Sequence, residues 1–129
     1  MPLVKIETRR WMTPMQKAQA LDATHGALVA AFKIPTHDRH QRVVEYAAED
    51  FEIPPGKGDR YMLISIDGFA GRSLDAKRAL YREIVQRLGA VGVPANDVLI
   101  VLREVPLENW GVRGGVAACD VDLGFEVRV

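Results

Sequence analysis

The sequence predicts an α/β (α+β) fold made of one β-α-β unit used twice, giving a four-stranded mixed sheet with two helices on one face. Three observations carry that expectation. Apolar and polar residues alternate from Leu3 to Glu7, the period of a half-buried strand, and Tyr61 to Asp67 reads as a second strand. Each run is followed by a hydroxyl residue, Thr13 or Ser73, that opens a stretch of helical period. The halves also correspond at an offset of 59 or 60: Thr13 and Lys17 with Ser73 and Lys77, Ile34, Pro35 and Asp38 with Val93, Pro94 and Asp97, and Glu45 with Glu104. The repeat halves span about 1–52 and 60–110 of a single domain of 129 residues, with a tail over 111–129.

Taken in order, the first strand puts Pro2, Val4 and Ile6 on one face. Thr13 suits the N-cap, Pro14 the first helical position, and Gln16 the far corner of a capping box. The helix is expected to run to about Phe32, with Ala18, Leu21, His25, Leu28 and Phe32 as its apolar stripe. Ile34 and Pro35 end it. A turn with His37 and Asp38 leads to an extended run from Gln41 to Tyr46, and the polar segment from Ile53 to Asp59 connects the halves. The second half reads as a strand from Tyr61 to Asp67, a helix entered through Arg72 and Ser73 and ending near Leu88, and a strand from Val98 to Glu104.

Right-handed crossovers place both helices on the same side of the sheet. The other face, around Leu63, then needs cover, which a symmetric oligomer supplies. The tail from Val112 to Val129 suits an edge strand added to a neighbouring subunit.

Composition bounds the function. Seventeen basic and seventeen acidic residues cancel, so no global charge favours nucleic acid, and no apolar run is long enough to span a membrane. The lone Cys119 excludes an intrachain disulfide, and His25, His37 and His40 have no ligand spacing, so neither a metal nor a cofactor is expected. With no secretory signal, a cytoplasmic protein is expected.

Several stretches together resemble the tautomerase superfamily, and within it the malonate semialdehyde decarboxylase group: MPLVKIE at the start, DATHGALVAAF, IPTHDRHQ, GRSLDAKRALY and VPLENW. The resemblance covers most of the chain. It implies a tautomerase/MIF-like fold, a homotrimer, and catalysis by an amino-terminal proline freed by removal of Met1. Carried over residue by residue, it implies catalytic roles for Pro2, Asp38 and Arg72, with Arg72 and Trp110 contacting a small carboxylate substrate. His25 joins the candidates because related dehalogenases have a functional histidine in a similar segment. Two departures stand out. An Arg-Pro-Arg segment of the best-known decarboxylase is Ala70-Gly71-Arg72 here, and the Trp-Ser-Phe-Gly common after the tryptophan is Trp110-Gly111-Val112-Arg113.

The residues support this chemistry to different degrees. A Met-Pro start is uninformative alone, but a free Pro2 nitrogen would titrate near the usual α-amino value of about 8 and could serve as base or acid. Arg72 before a helix start can be a solvated charge, or can join the unpaired helical N–H groups on a carboxylate. Asp38 either stabilises a turn, as expected of Asp97, or holds a water or the reacting carbonyl. Trp110 suits core or pocket wall, and His25 suits a hydrogen-bonded interior position. The function expected is an enzyme acting on a small 2-oxo or 3-oxo acid, by decarboxylation or by keto-enol tautomerisation of a phenylpyruvate type. The alternative is a non-catalytic metabolite-binding or interaction module on a ferredoxin-like or MIF-like fold.

Overall fold

A computed structural model describes residues 1–129. The first unit comprises β1 (Pro2–Arg9), α1 (Pro14–Phe32) and β2 (His40–Tyr46), and the second β3 (Met62–Phe69), α2 (Leu74–Gly89) and β4 (Val98–Val105). A two-strand hairpin, β5 (Gly111–Val112) and β6 (Val116–Ala117), follows. The sheet order is β2-β1-β3-β4, with parallel pairs outside and the antiparallel β1/β3 pair at the centre. That pairing sets Pro2 beside Gly68, so the start of β1 meets the end of β3.

Strand alternation sends Val4, Ile6, Met62, Ile64 and Ile66 under the helices, where each is at most 1% exposed. Leu80, Ile84 and Leu88, four residues apart on α2, are fully buried against them. Each such side chain contributes about 1.5–3 kcal/mol by leaving water. The capping box of α1 forms in full: the Thr13 hydroxyl accepts from Gln16 N–H at 3.2 Å, and Gln16 Oε1 accepts from Thr13 N–H at 2.8 Å. Lys33, at φ 58°, stops the helix in the left-handed conformation while its N–H donates to the Val29 carbonyl.

The buried face of α1 differs from the expected stripe. Ala20, Thr24, Ala27 and Ala31 face inward with Leu28 and Phe32, whereas Ala18 is exposed and Leu21 only half-buried. Small side chains let α1 approach α2 and the sheet closely, and Thr24 satisfies its hydroxyl within the helix by donating to the Ala20 carbonyl at 3.0 Å. The uncovered sheet face is mixed: Lys5 with Glu7 and Arg103 with Asp67 form ion pairs there, and its exposed apolar part is Leu99 and Val101 beside Leu63. The tail folds back over the end of β3, with Phe125 stacked on Phe69 and the Val129 carbonyl accepting from Ser73 N–H at 3.1 Å. Burial of Phe125 and Val127 against Phe69 favours this return. No helix is long and apolar enough to cross a membrane.

Candidate active site

The Pro35–Asp38 turn that ends the α1–β2 connection is closed by Asp38 N–H donating to the Pro35 carbonyl. Its side chain is free for other work. Asp38 is largely buried; one carboxylate oxygen pairs with the amino group of Met1, and the other lies 3.2 Å from His40 Nε2. Amino terminus and carboxylate thus meet at the mouth of β1, beside a pocket of about 190 Å³. Met1, Pro35, His37 and Asp38 line one part of it, and Phe69, Val112, Arg113, Leu123 and Phe125 the rest.

Pro2 is buried directly beneath, on the helix side of β1. Arg72 follows β3 and is 6% exposed. Its Nη1 donates to the Phe69 carbonyl at 2.9 Å, and the guanidinium carbon lies 4.8 Å from the centre of the Phe32 ring. Nε and Nη2 meet no acceptor. Those two nitrogens form one edge of the guanidinium fork, the edge that takes a carboxylate through two parallel hydrogen bonds. Burial lowers the Arg72 pKa from its usual value, and the carboxylates of Glu104 and Asp38 oppose that shift.

The other expected contributors sit differently. The start of α2 is not open to a ligand beside Arg72: the Ser73 hydroxyl accepts from Ala76 N–H at 3.1 Å, and Ser73 N–H is taken by Val129. Trp110 stands behind the pocket wall, edge-on to Phe69 at 4.9 Å, its Nε1–H donating to the Val105 carbonyl. His25 lies elsewhere, on a shallow depression with Asp22, Arg39 and Arg87, and its Nε2–H donates to the Thr36 carbonyl at 2.7 Å. Pro2, Asp38 and Arg72 therefore converge on one end of the sheet, Trp110 braces that end, and His25 is apart from it.

Sequence reasoning passed over His37, His40, Phe69, Arg113, Leu123 and Phe125. Position 113 alone carried a signal, an arginine where the resembling sequences have glycine. No group of three or more His, Cys, Asp or Glu side chains is placed to hold a metal ion.

The duplicated β-α-β sheet defines a class of small proteins that the known relatives identify. The family model described as "Tautomerase enzyme" matches residues 38–113, more than half of the chain. The chain belongs to that family. The probable tautomerase YusQ of Bacillus subtilis (strain 168) is 26% identical over 123 residues, 91% of this chain and 97% of the relative. A malonate semialdehyde decarboxylase inhibited by 3-bromopropiolate superposes with a TM-score of 0.82 at 27% identity, covering 89% of this chain and 92% of the other. A fused 4-OT symmetric trimer superposes with a TM-score of 0.81 at 30% identity over 91% and 96% of the two chains. The resemblance read in the sequence and the fold it implied both hold.

Proposed function

We propose that the chain, freed of Met1, is an amino-terminal-proline enzyme acting on a small 2-oxo or 3-oxo carboxylic acid. The observation that carries this reading is the amino terminus held against Asp38 beside an apolar-walled pocket. With Met1 attached, the Pro2 nitrogen is an amide without a basic lone pair. After cleavage it is a secondary amine in the same place. Arg72 holds the substrate carboxylate through Nε and Nη2, and Asp38 orients the reacting oxygen or a water.

Two reactions use this arrangement. In tautomerisation, neutral Pro2 takes the proton of the enol hydroxyl and returns a proton to the adjacent carbon. In decarboxylation, cationic Pro2 donates to the 3-carbonyl oxygen, and the electron pair of the breaking carbon–carbon bond flows toward that carbonyl as carbon dioxide leaves. Asp38 favours the cationic amine and Arg72 the neutral one. An NMR pH titration of ¹⁵N-labelled Pro2 decides: a pKa below about 7 supports the base, and one near 9 supports the acid.

Pro2→Ala, with folding verified by circular dichroism, is expected to lower turnover of phenylpyruvate enol or malonate semialdehyde by about 10² to 10⁴. Undiminished turnover would remove Pro2 from the mechanism. The reading includes a cytoplasmic homotrimer, supported by the exposed Leu99 and Val101 and by the trimeric fused 4-OT structure. Light scattering at assay concentration should return three times the monomer mass.

A further inference from the structure

His25 stands apart from the pocket, yet it holds the turn that carries Asp38. It lies on the buried face of α1, 7% exposed, and its Nε2–H donates to the Thr36 carbonyl at 2.7 Å. Within the turn, Asp38 N–H donates to the Pro35 carbonyl and Arg39 N–H to the His37 carbonyl. The Thr36 carbonyl between them is reached by no backbone N–H, and a helix side chain supplies its donor. Two further bonds tie the chain after Asp38 to the same helix: Arg39 Nη2 donates to Asp22 Oδ1 at 2.8 Å, and Gln41 Nε2 to the Leu21 carbonyl at 3.0 Å. The Arg39–Asp22 pair is exposed and Gln41 lies within β2, which leaves His25 as the hold on the turn itself.

The second unit fastens its turn differently. An offset of 60 matches the buried Ala20, Thr24 and Leu28 of α1 with the buried Leu80, Ile84 and Leu88 of α2. At that offset His25 corresponds to Val85, which has no polar side-chain atom. The Asp97 turn is pinned from the connector instead, by Lys57 Nζ donating to the Asn96 carbonyl at 2.7 Å and by Asp97 accepting from Gly58 N–H. There the aspartate is itself part of the fastening. In the first unit the helix holds the backbone, and the Asp38 carboxylate is left facing the amino terminus.

We propose that His25 is a positioning residue: by holding the Thr36 carbonyl it fixes the turn from which Asp38 faces the reacting amine. Its action passes through the backbone. This rests on the reading that Asp38 and the amine at the mouth of β1 form the reacting site.

Variants of the processed chain test it. His25→Leu removes the donor at similar volume and is expected to lower kcat by about 10- to 100-fold with KM within about twofold, the loss that follows a small misplacement of a catalytic group. By ¹⁵N NMR the Pro2 pKa should fall by about 0.5, because a displaced carboxylate favours the cationic amine less. His25→Asn, whose amide stops short of Thr36, should behave like His25→Leu, whereas His25→Gln keeps an N–H at the reach of Nε2 and should recover most of both losses. In an Asp38→Asn background, His25→Leu should change neither kcat nor the Pro2 pKa further. Wild-type kcat and Pro2 pKa in His25→Leu and His25→Asn, whatever their urea midpoints, would overturn the proposal. So would full additivity with Asp38→Asn, or a His25→Gln as impaired as His25→Leu. A wild-type chain that turns over neither phenylpyruvate enol nor malonate semialdehyde while the pKa pattern holds would defeat the enzyme reading and leave the positioning of Asp38 standing.

Discussion

The two β-α-β units share a scaffold, but one end of the sheet is filled and the other is left open. The residue before the helix cap is Met12 in the first unit and Arg72 in the second, 8% and 6% exposed. Asp97 and Asp38 occupy matching turns, yet Asp97 accepts from Gly58 N–H at 3.0 Å while Asp38 faces the amino terminus. Around Met12 the end is closed by packing: Tyr61 lies against Phe51, Arg60 lies over the Trp11 ring at 4.6 Å, and Thr8 donates to the Tyr61 carbonyl at 2.8 Å. At the other end, two buried donors of Arg72 lack acceptors, and a pocket lined by Asp38 and Phe69, though not by Arg72, remains. The same fold thus carries one end with its donors paired and one end where a buried guanidinium keeps two donors unpaired.

The largest effect should follow from giving the open end the side chain of the closed one. Arg72→Met is expected to reduce kcat/KM by about 10² to 10³, the usual loss when a preorganised donor is removed. Stability should hold or rise by up to about 2 kcal/mol, since a buried charge with unpaired donors is replaced by an apolar chain of similar length. Urea unfolding beside steady-state kinetics measures both. A large stability loss would make Arg72 a structural residue and dissolve the contrast with Met12.

The aspartates sharpen the same contrast at smaller scale. Asp38→Asn should lower kcat by about 10² with little change in urea midpoint. Asp97→Ala should leave kcat unchanged and destabilise by about 1–3 kcal/mol, because Gly58 N–H loses its side-chain acceptor. Exchange of these two outcomes would assign the site to the wrong half.

These contrasts were legible in the sequence only in part. Strand alternation, the Thr13 and Ser73 caps and the repeat offset are local signals, and each element formed close to where they placed it. The face of α1 was misjudged because alanine and threonine weigh little on a hydrophobic scale, although close packing selects them. Pro2, Asp38 and Arg72 were singled out through resemblance, not through spacing. Phe125 and Leu123 were not, because their place on the pocket depends on the tail folding back, which nothing local to residues 111–129 specifies. The helix start beside Arg72 looked available for the same reason, since its occupant, Val129, is distant in sequence.

The smallest effect concerns an ion pair present in both halves, Lys17 with Glu45 and Lys77 with Glu104. In the second half the hydrogen bond from Lys77 lowers the Glu104 pKa below the ordinary carboxylate range, against the opposing effect of burial, with Gly71 N–H and the Arg72 charge helping. The folded state therefore binds a proton less readily than the unfolded chain. The resulting stability is fully present above the unfolded pKa of about 4.3 and is lost as pH falls through the lower folded value. Glu104 is about one-third exposed, so solvent screening holds the contribution below about 1 kcal/mol. Glu104→Gln should lower stability by that small amount at pH 7, and the difference from wild type should begin to shrink below about pH 4 and vanish once the pH is below the lower folded value. Because Glu104 also faces the Arg72 charge, loss of its carboxylate should lower activity by less than about tenfold, far less than Arg72→Met. A pH-independent stability difference would place the role of Glu104 in packing rather than charge.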